Sequence, residues 1–253
     1  MLAFAHRGGA DHPDLLGLEN TVVAFRHAYD LGYRYLETDV HASSDGVLFA
    51  FHDDALDRVT DRSGRLADLT AAEIELARIG GAHPVPRFSE LVAAFPDVTF
   101  NVDLKSDGAV APLASVITDG GLENRMIVGS FSARRLIRFR RLTGGRVRTA
   151  AHPREVAAFV LCPSPALAGP LRALPCVALQ VPVRTILRGR SVAIVTPRFV
   201  RNAHAAGKAL HVWTIDDPAE MERLIDLGVD GLMTDRTDVL KSVLTQRGLW
   251  TTN

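Results

Sequence analysis

Residues 2–9 read LAFAHRGG, an apolar run that ends in a histidine, an arginine and two glycines. The apolar part predicts a β-strand, whose C-terminal tip would present His6 and Arg7. Glycine can adopt backbone conformations that other residues rarely adopt, so Gly8 and Gly9 would let a ligand approach the chain closely there. The stretch therefore predicts a ligand site at a strand tip, with a potential proton shuttle beside a fixed cation.

Similar runs recur along the chain, and helical patterns separate most of them. The further strand candidates are RYLETDV, VLFAFHD, VTFNVDLK, RMIVGS, GRVRTAA, VALQVP, LHVWTID and GVDGLMTD. Strands separated by helices indicate parallel pairing through right-handed crossovers. About eight strands in a chain of this length favour a TIM-type (β/α)8 barrel over an open doubly wound sheet. Neither GxGxxG after a strand nor a P-loop pattern occurs, so the sequence lacks the signatures of nucleotide binding.

One segment departs from this repeat. Residues 54–87 follow the strand candidate that contains His52 and are polar and rich in turns, apart from a short helical patch. A connection of that length within a compact domain is usually a functional lid or a small subdomain. We therefore expect a single barrel domain over residues 1–253, with a small insertion above the strand ends where substrates enter.

Composition narrows the range of functions. Basic and acidic residues each number 29. A basic block interleaved with aromatic residues would indicate a nucleic-acid partner, and the sequence contains none. No window approaches the roughly 18 consecutive apolar residues of a membrane span, and no basic region precedes the apolar start of the chain. These features predict a soluble, cytoplasmic protein without stable membrane insertion. Cys162 and Cys176 lack the spacing of metal ligands and are expected to be buried or incidental thiols.

Charged side chains collect where the predicted strands end, which is the active-site end of a parallel barrel. Glu37 and Asp39 in RYLETDV share one face of their strand and lie about 6 to 7 Å apart, because side chains alternate along a strand. VTFNVDLK repeats the pattern with Asp103 and Lys105. The two strands together predict a cluster of buried charges at one end of the barrel.

A divalent cation would neutralise the like charges in that cluster. Glu37, Asp39 and Asp103 are hard oxygen donors, which favours Mg²⁺ or Ca²⁺ over zinc. This interpretation leaves His6 and His52 free for proton transfer.

The sum of the charges indicates the substrate. Three carboxylates and one divalent cation leave about one negative charge, and Arg7 and Lys105 add two positive charges, so the site suits an anion such as a phosphoryl group. Each histidine acting as a general acid or base is worth roughly 10² to 10⁴ in rate.

The chain resembles the glycerophosphodiester phosphodiesterase family from residue 3 to about residue 240. The resemblance rests on AHRGG, ENT, ETDVHASSDGVLFAFHDDALDRVTDRSG, NVDLK, VWTIDDPAEM and GVDGLMTDR, in that order. It implies a TIM-type barrel with a small insertion, which hydrolyses glycerophosphodiesters to sn-glycerol 3-phosphate and an alcohol. The implied cofactor is a divalent cation, Mg²⁺ or Ca²⁺, with Mn²⁺ as a further candidate. Lysophospholipase D-type hydrolysis of a lipid phosphodiester stays open as the alternative.

The resemblance also implies a role for each candidate residue. It makes His6 and His52 the acid–base pair, and it makes Glu37, Asp39 and Asp103 the metal ligands.

The remaining candidates would contact the substrate. By the same resemblance Arg7 and Lys105 face the phosphate, and Glu19 of the ENT motif lies near the phosphate or the metal. Trp213 forms part of the substrate wall, with packing of a late strand as its alternative. Two rival functions stay open: an aldolase-type barrel with Lys105 as a Schiff-base lysine, and a non-catalytic barrel that binds phosphodiesters.

Three features depart from the family pattern. Asp103 stands where the family usually has Glu, which shortens a ligand by one methylene. The ENT motif follows an extended loop, in which His12 and Asp14 are expected to be solvated. Residues 150–197 contain no motif of the family. In the last strand candidate, Asp235 is predicted to cap the final helix.

Overall fold

The computed structural model describes residues 1–187 and 189–251. The strands among these residues are, in chain order, β1 (Leu2–His6), β2 (Tyr35–Ala42), β3 (Leu48–Ala50), β4 (Arg78–Ile79), β5 (His83–Pro84), β6 (Thr99–Leu104), β7 (Met126–Gly129), β8 (Arg148–Thr149), β9 (Ala178–Pro182), β10 (Arg184–Leu187), β11 (Arg190–Ala193), β12 (Ala209–Trp213) and β13 (Gly231–Thr234).

Eight of these strands form a parallel sheet in the order β8-β7-β6-β2-β1-β13-β12-β9. A further parallel bridge between Ala150 and Ala178 joins the two ends of that order, so the sheet curls into a barrel. The predicted TIM-type barrel is confirmed.

The helices of the described residues are α1 (Val22–Asp30), α2 (Ala71–Ile74), α3 (Phe88–Ala94), α4 (Val110–Asp119), α5 (Ala133–Leu142), α6 (Pro153–Leu161), α7 (Pro197–Ala205), α8 (Pro218–Leu227) and α9 (Thr237–Gln246). Several begin at a side-chain cap, as at Thr21, Ser132 and Asp217, whose oxygens accept a backbone N–H of the first turn. None of these helices is long and apolar enough to cross a membrane.

Alternation along the barrel strands separates packing from chemistry. On β2, Leu36 and Val40 belong to the hydrophobic layer between strands and helices, whereas Glu37 and Asp39 belong to the barrel interior. Full burial of an aliphatic side chain of this size contributes about 1.5 to 3 kcal/mol, so the outer layer fixes which face of the strand turns inward. The predicted burial of Cys162 and Cys176 is also confirmed.

One strand prediction was wrong in its topology. VLFAFHD does not form a barrel strand, because β3 pairs antiparallel with the outer end of β2, with Ala50 opposite Val40. The SSDG sequence turns the chain back: the backbone N–H of Ser43 donates to the carbonyl of Val47, and Gly46 has a φ of 86°. A glycine at such a position is typical of a tight hairpin turn. The hairpin returns the chain to the barrel rim, where His52 follows.

The insertion over residues 54–87 has a small core of its own, packed against β3. Its buried apolar members, together with two phenylalanines of the β3 segment, are Phe49, Phe51, Leu56, Leu66, Ala71, Ile74, Ala77, Ile79 and Val85. The short helical patch expected there is α2, which begins at a reciprocal capping box between Thr70 and Glu73. The strands β4 and β5 close the insertion as a two-stranded pair.

Candidate active site

The pairing of the strands brings the predicted residues together at the C-terminal end of the barrel. His6 lies opposite Glu37 in the register of β1 and β2, and Asp39 lies opposite Asp103 in the register of β2 and β6. Lys105 follows the last residue of β6 directly. These residues are far apart in sequence, and parallel pairing alone makes them neighbours.

Asp39 is the buried centre of a network of cations and amides. Its Oδ1 lies 2.9 Å from Nζ of Lys105, and its Oδ2 lies 3.3 Å from Nε of Arg7. The amide of Asn20 also donates to Oδ2 at 3.3 Å. Burial raises the pKa of Asp39, but Lys105 and Arg7 outweigh this effect and lower it below its usual range. Asp39 is therefore a carboxylate at neutral pH.

Lys105 bridges two carboxylates. Its ammonium lies 2.8 Å from Oδ2 of Asp103 as well as 2.9 Å from Asp39. Burial raises the pKa of Asp103 even though Lys105 lies beside it, because Asp39 adds a like charge and already shares the lysine. Burial also disfavours the charged lysine, and the two carboxylates outweigh that effect and raise its pKa. Lys105 is thus a fixed cation on the floor of the site.

Glu37 is the least neutralised carboxylate of the cluster. It is buried, it accepts the backbone N–H of Arg7 at 3.2 Å, and its Oε2 lies 3.8 Å from Nε2 of His6. Burial and the neighbouring Asp39 carboxylate raise the pKa of Glu37 to about 7. A cation close to Glu37 would stabilise its charged form and lower its pKa.

His6 has a carboxylate partner that the sequence interpretation missed. Its Nδ1 donates to Oδ1 of Asp235 at 2.8 Å, which fixes the orientation of the imidazole. Burial lowers the pKa of His6, but Glu37 and Asp235 outweigh this effect and raise it to about 9. The relevant signal was available: Asp235 follows the last barrel strand as His6 ends the first, and these two strands are neighbours.

The prediction that Asp235 caps the final helix was wrong. The N-cap position of α9 is Arg236, which makes no side-chain capping hydrogen bond. Asp216 organises this turn instead, because its Oδ1 accepts from the backbone N–H groups of Asp235 and Arg236 and from the hydroxyl of Thr234. Asp235 is thereby held in place with its carboxylate free to face His6.

His52 also has a carboxylate partner. Its Nδ1 lies 2.6 Å from Oδ1 of Asp53. Arg58 from the insertion donates to Asp53 at 2.6 Å and to both oxygens of Glu19, at 2.6 and 2.8 Å. The Arg58 hydrogen bond lowers the pKa of Asp53 to about 2. One arginine of the insertion thus links the ENT motif to the support of His52.

Two further polar residues hold these groups in position. His41 shares the inward face of β2, and its Nε2 donates to the carbonyl of His52 at 3.1 Å. Asn20 adopts a left-handed backbone with φ of 59° and accepts the hydroxyl of Thr38 at 2.8 Å while it donates to Asp39. The ENT motif and the strand alternation could have indicated both residues, yet the sequence interpretation named neither.

An aromatic pair borders the charged floor. Trp213 ends β12 half-buried, and its ring meets that of Phe131 edge to face, with centroids 5.6 Å apart. The Lys105 ammonium lies 5.7 Å from the centre of the Phe131 ring, and Phe131 is largely exposed. This placement gives the site one apolar side next to its cations.

The loop between β1 and α1 differs in part from its expectation. Asp14 is exposed as expected, but His12 is buried, with its ring 4.3 Å from that of His27. The backbone N–H of Asp14 donates to Nδ1 of His12 at 3.2 Å. Packing against His27 of α1 therefore removes His12 from solvent.

In the part of the chain that the structure describes, two groups bring possible metal-ligand atoms within 4.8 Å of one another. They are His12, Asp14 and His27, and Asp11, Asp216 and Asp235. The predicted set Glu37, Asp39 and Asp103 is not among these groups, and the Lys105 ammonium contacts both of its aspartates.

Beneath the site the barrel interior is polar. Gln180 donates to Oδ1 of Asn101 at 2.7 Å, and its amide lies 3.2 Å from Nδ1 of His211. The buried Nε2 of His211 has no hydrogen-bond partner among the described residues. Burial lowers the pKa of His211 to about 4, so this imidazole is neutral in the folded protein.

A parallel barrel with imidazoles, carboxylates and fixed cations at its C-terminal end belongs to the class of TIM-barrel enzymes. The model of the glycerophosphoryl diester phosphodiesterase family matches residues 6–239. The chain belongs to this family, and it is a phosphoric diester hydrolase.

Individual relatives agree with this assignment. The probable glycerophosphodiester phosphodiesterase 2 of Mycobacterium tuberculosis is 38% identical over 253 residues, which cover 98% of this chain and 92% of that protein. The human lysophospholipase D GDPD1 is 24% identical over 278 residues, covering 95% of this chain and 85% of that protein. The fold is similar to that of an Oleispira antarctica phosphodiesterase in complex with the product sn-glycerol-3-phosphate, with a TM-score of 0.79, 22% identity and 97% of each chain covered.

Proposed function

We propose that this site hydrolyses glycerophosphodiesters to sn-glycerol 3-phosphate and an alcohol, with His6 and His52 as the acid–base pair. The observation that carries the proposal is the matched support of the two imidazoles: each has a carboxylate at Nδ1, at 2.8 Å from Asp235 and at 2.6 Å from Asp53. A carboxylate at Nδ1 fixes the ring orientation and leaves Nε2 for proton transfer.

The charges around these imidazoles suit a phosphodiester. Arg7 and Lys105 are cations held by buried carboxylates, so they are available to a phosphate without reorganisation of the site. One imidazole would take the proton of the attacking oxygen, and the other would donate a proton to the leaving alcohol oxygen. The aromatic side formed by Trp213 and Phe131 would contact the apolar part of the substrate.

By the type of their donor atoms, the three predicted carboxylates also suit a divalent cation, with Mg²⁺ or Ca²⁺ preferred and Mn²⁺ as a further candidate. Glu37, Asp39 and Asp103 offer hard oxygen ligands, and the raised pKa of Glu37 marks a buried carboxylate that lacks a full counter-charge. When bound, such an ion would polarise the phosphoryl oxygens. Lys105 already contacts Asp39 and Asp103, so each of these two carboxylates would bind both the lysine and the metal ion.

The insertion takes part in this proposal as a lid. Arg58 connects it to Glu19 on one side and to Asp53 on the other, so the position of the insertion affects the support of His52.

The cytoplasmic location expected from the sequence also stays part of the proposal.

A direct experiment measures release of glycerol 3-phosphate from a panel of glycerophosphodiesters by the metal-stripped protein, with Mg²⁺, Ca²⁺ or Mn²⁺ added back in turn. Restored turnover with one of the ions is the expected result. Folded protein that binds metal and turns over none of the diesters would overturn the proposal.

Lysophospholipase D-type hydrolysis of a lipid phosphodiester is the second candidate. It is favoured by the exposed Phe131 beside Trp213, since an aromatic surface at the site would accept an acyl chain, and by the name of the human relative. Comparison of glycerophosphocholine with lysophosphatidylcholine as substrates separates the two functions.

A further inference from the structure

The stretch without a family motif contains an exposed β-hairpin. The sequence RTILRGRSVA, residues 184–193, forms the antiparallel pair β10 and β11, with Arg184 opposite Ala193 and Leu187 opposite Arg190. Residue 188 lies outside the described residues. All eight residues of the two strands are exposed. The hairpin therefore makes little contact with the rest of the protein beyond its base.

The base of this hairpin lies at the rim of the active site. The preceding barrel strand β9 ends at Pro182, which lies opposite Trp213 in the register of β9 and β12. The backbone N–H groups of Ile194 and Val195 donate to the carbonyl of Val183, at 2.9 and 3.3 Å, and close the base. The hairpin thus emerges beside the aromatic side of the site. Strands of four residues are about 13 Å long, enough to reach beyond the rim.

The hairpin exposes apolar side chains that the fold does not need. Ile186 is 70% exposed and Leu187 is 61% exposed, and Val192 is also exposed. Single exposed leucines are common on protein surfaces. Because side chains alternate along a strand, Leu187 and Val192 lie on one face of this hairpin and Ile186 lies on the other, so the hairpin carries exposed apolar side chains on both faces.

The charge around the hairpin selects the partner. The hairpin sequence RTILRGRSVA contains three arginines and no acidic residue, in a protein of zero net charge. Arg184 and Arg190 flank the apolar side chains on the hairpin itself. Basic residues beside apolar ones are typical of segments that bind the interface of an anionic bilayer.

We propose that the hairpin of residues 184–193 docks the protein on an anionic lipid bilayer, with Ile186 and Leu187 inserted among the headgroups. Docking places the mouth of the barrel at the lipid surface, where a lipid phosphodiester would enter past Trp213. Binding to the bilayer is independent of the reaction, and only the link to a lipid substrate rests on the proposed function.

The test uses the full chain and vesicles of phosphatidylglycerol, with phosphatidylcholine vesicles for comparison, in a co-sedimentation assay. The hairpin variant carries Ile186→Asp and Leu187→Asp. The matched control carries Leu161→Asp and Leu167→Asp, at positions 80% and 62% exposed, the first at the last residue of α6 and the second in the short turn that follows it. Both variants remove two exposed apolar side chains and add two negative charges.

The expected result is binding of the unchanged protein to phosphatidylglycerol vesicles but not to phosphatidylcholine, weaker at high salt. The hairpin variant should lose at least about tenfold in partitioning, and the control should keep it. Equal binding of both variants, or no binding of the unchanged protein, would overturn the inference. A change of oligomeric state in the hairpin variant, measured by sedimentation, would assign the surface to a second copy of the chain and overturn it too.

Turnover of soluble glycerophosphocholine distinguishes failure of this inference from failure of the proposed function. Both variants should keep that turnover unchanged, because the substituted residues do not contact the site. Vesicle binding without turnover of any diester would leave the docking surface intact and refute the reaction.

Discussion

The hydrogen bond between His6 and Asp235 offers a sharp test of how the site is built. Asp235→Asn keeps the size of the side chain and an oxygen acceptor but removes the negative charge. The bond is 2.8 Å long, and both side chains are mostly buried, so solvent screens it little. A hydrogen bond to a charged group contributes about 1.5 to 3 kcal/mol. Since each 1.36 kcal/mol changes a rate about tenfold, we expect kcat to fall roughly 10- to 150-fold.

The assay is steady-state release of glycerol 3-phosphate, with thermal unfolding measured in parallel to show that the variant is folded. The matched control is Asp238→Asn, because Asp238 lies three positions after Asp235, in the first turn of α9, and pairs with Arg236 instead of His6. Its kcat should stay within about twofold of the unchanged protein. A kcat for Asp235→Asn within twofold of the unchanged protein would refute the positioning role, and so would an equal loss in both variants.

Three further substitutions test a buried ion pair, the contact between the insertion and the site, and a buried histidine. Lys105→Met leaves Asp39 and Asp103 buried without their shared cation, so chemical denaturation should show a loss of about 3 to 5 kcal/mol and turnover should fall at least about 100-fold; unchanged stability would contradict the bridging role. Arg58→Ala should lower turnover and loosen the insertion, seen as faster proteolysis within residues 54–87, whereas unchanged cleavage would argue against the link. His211 has a pKa lowered to about 4, so its contribution to the free energy of unfolding is complete above pH 6.5 and is lost as the pH falls from 6.5 to 4. That loss is about 3 kcal/mol, and His211→Asn should remove it from the pH dependence of unfolding; identical pH curves would contradict the assignment.

Much of the barrel could be predicted because its signals are local. Apolar runs and alternation identified all eight barrel strands, and the period of two placed Glu37 and Asp39 on one inward face. The antiparallel turn of β3 was missed because a strand-length apolar run does not reveal its pairing direction. The DG turn before that strand was the available hint.

The supporting residues of the site were harder to predict, because they depend on contacts between distant segments. Asp235 and His6 are 229 positions apart and meet only because the first and last barrel strands are neighbours. Arg58 and Glu19 are 39 positions apart and meet through the fold of the insertion. An aspartate after a strand and before a helix has the local pattern of a cap, and only the closed barrel shows which group it faces.

Acid–base catalysis by the two histidines can be tested by glycerol 3-phosphate release from metal-stripped protein with divalent cations added back, in the unchanged chain and in His6→Ala and His52→Ala. We expect one cation to restore turnover in the unchanged chain, and we expect both histidine variants to lose turnover while they stay folded. Turnover that persists in both folded variants would contradict it.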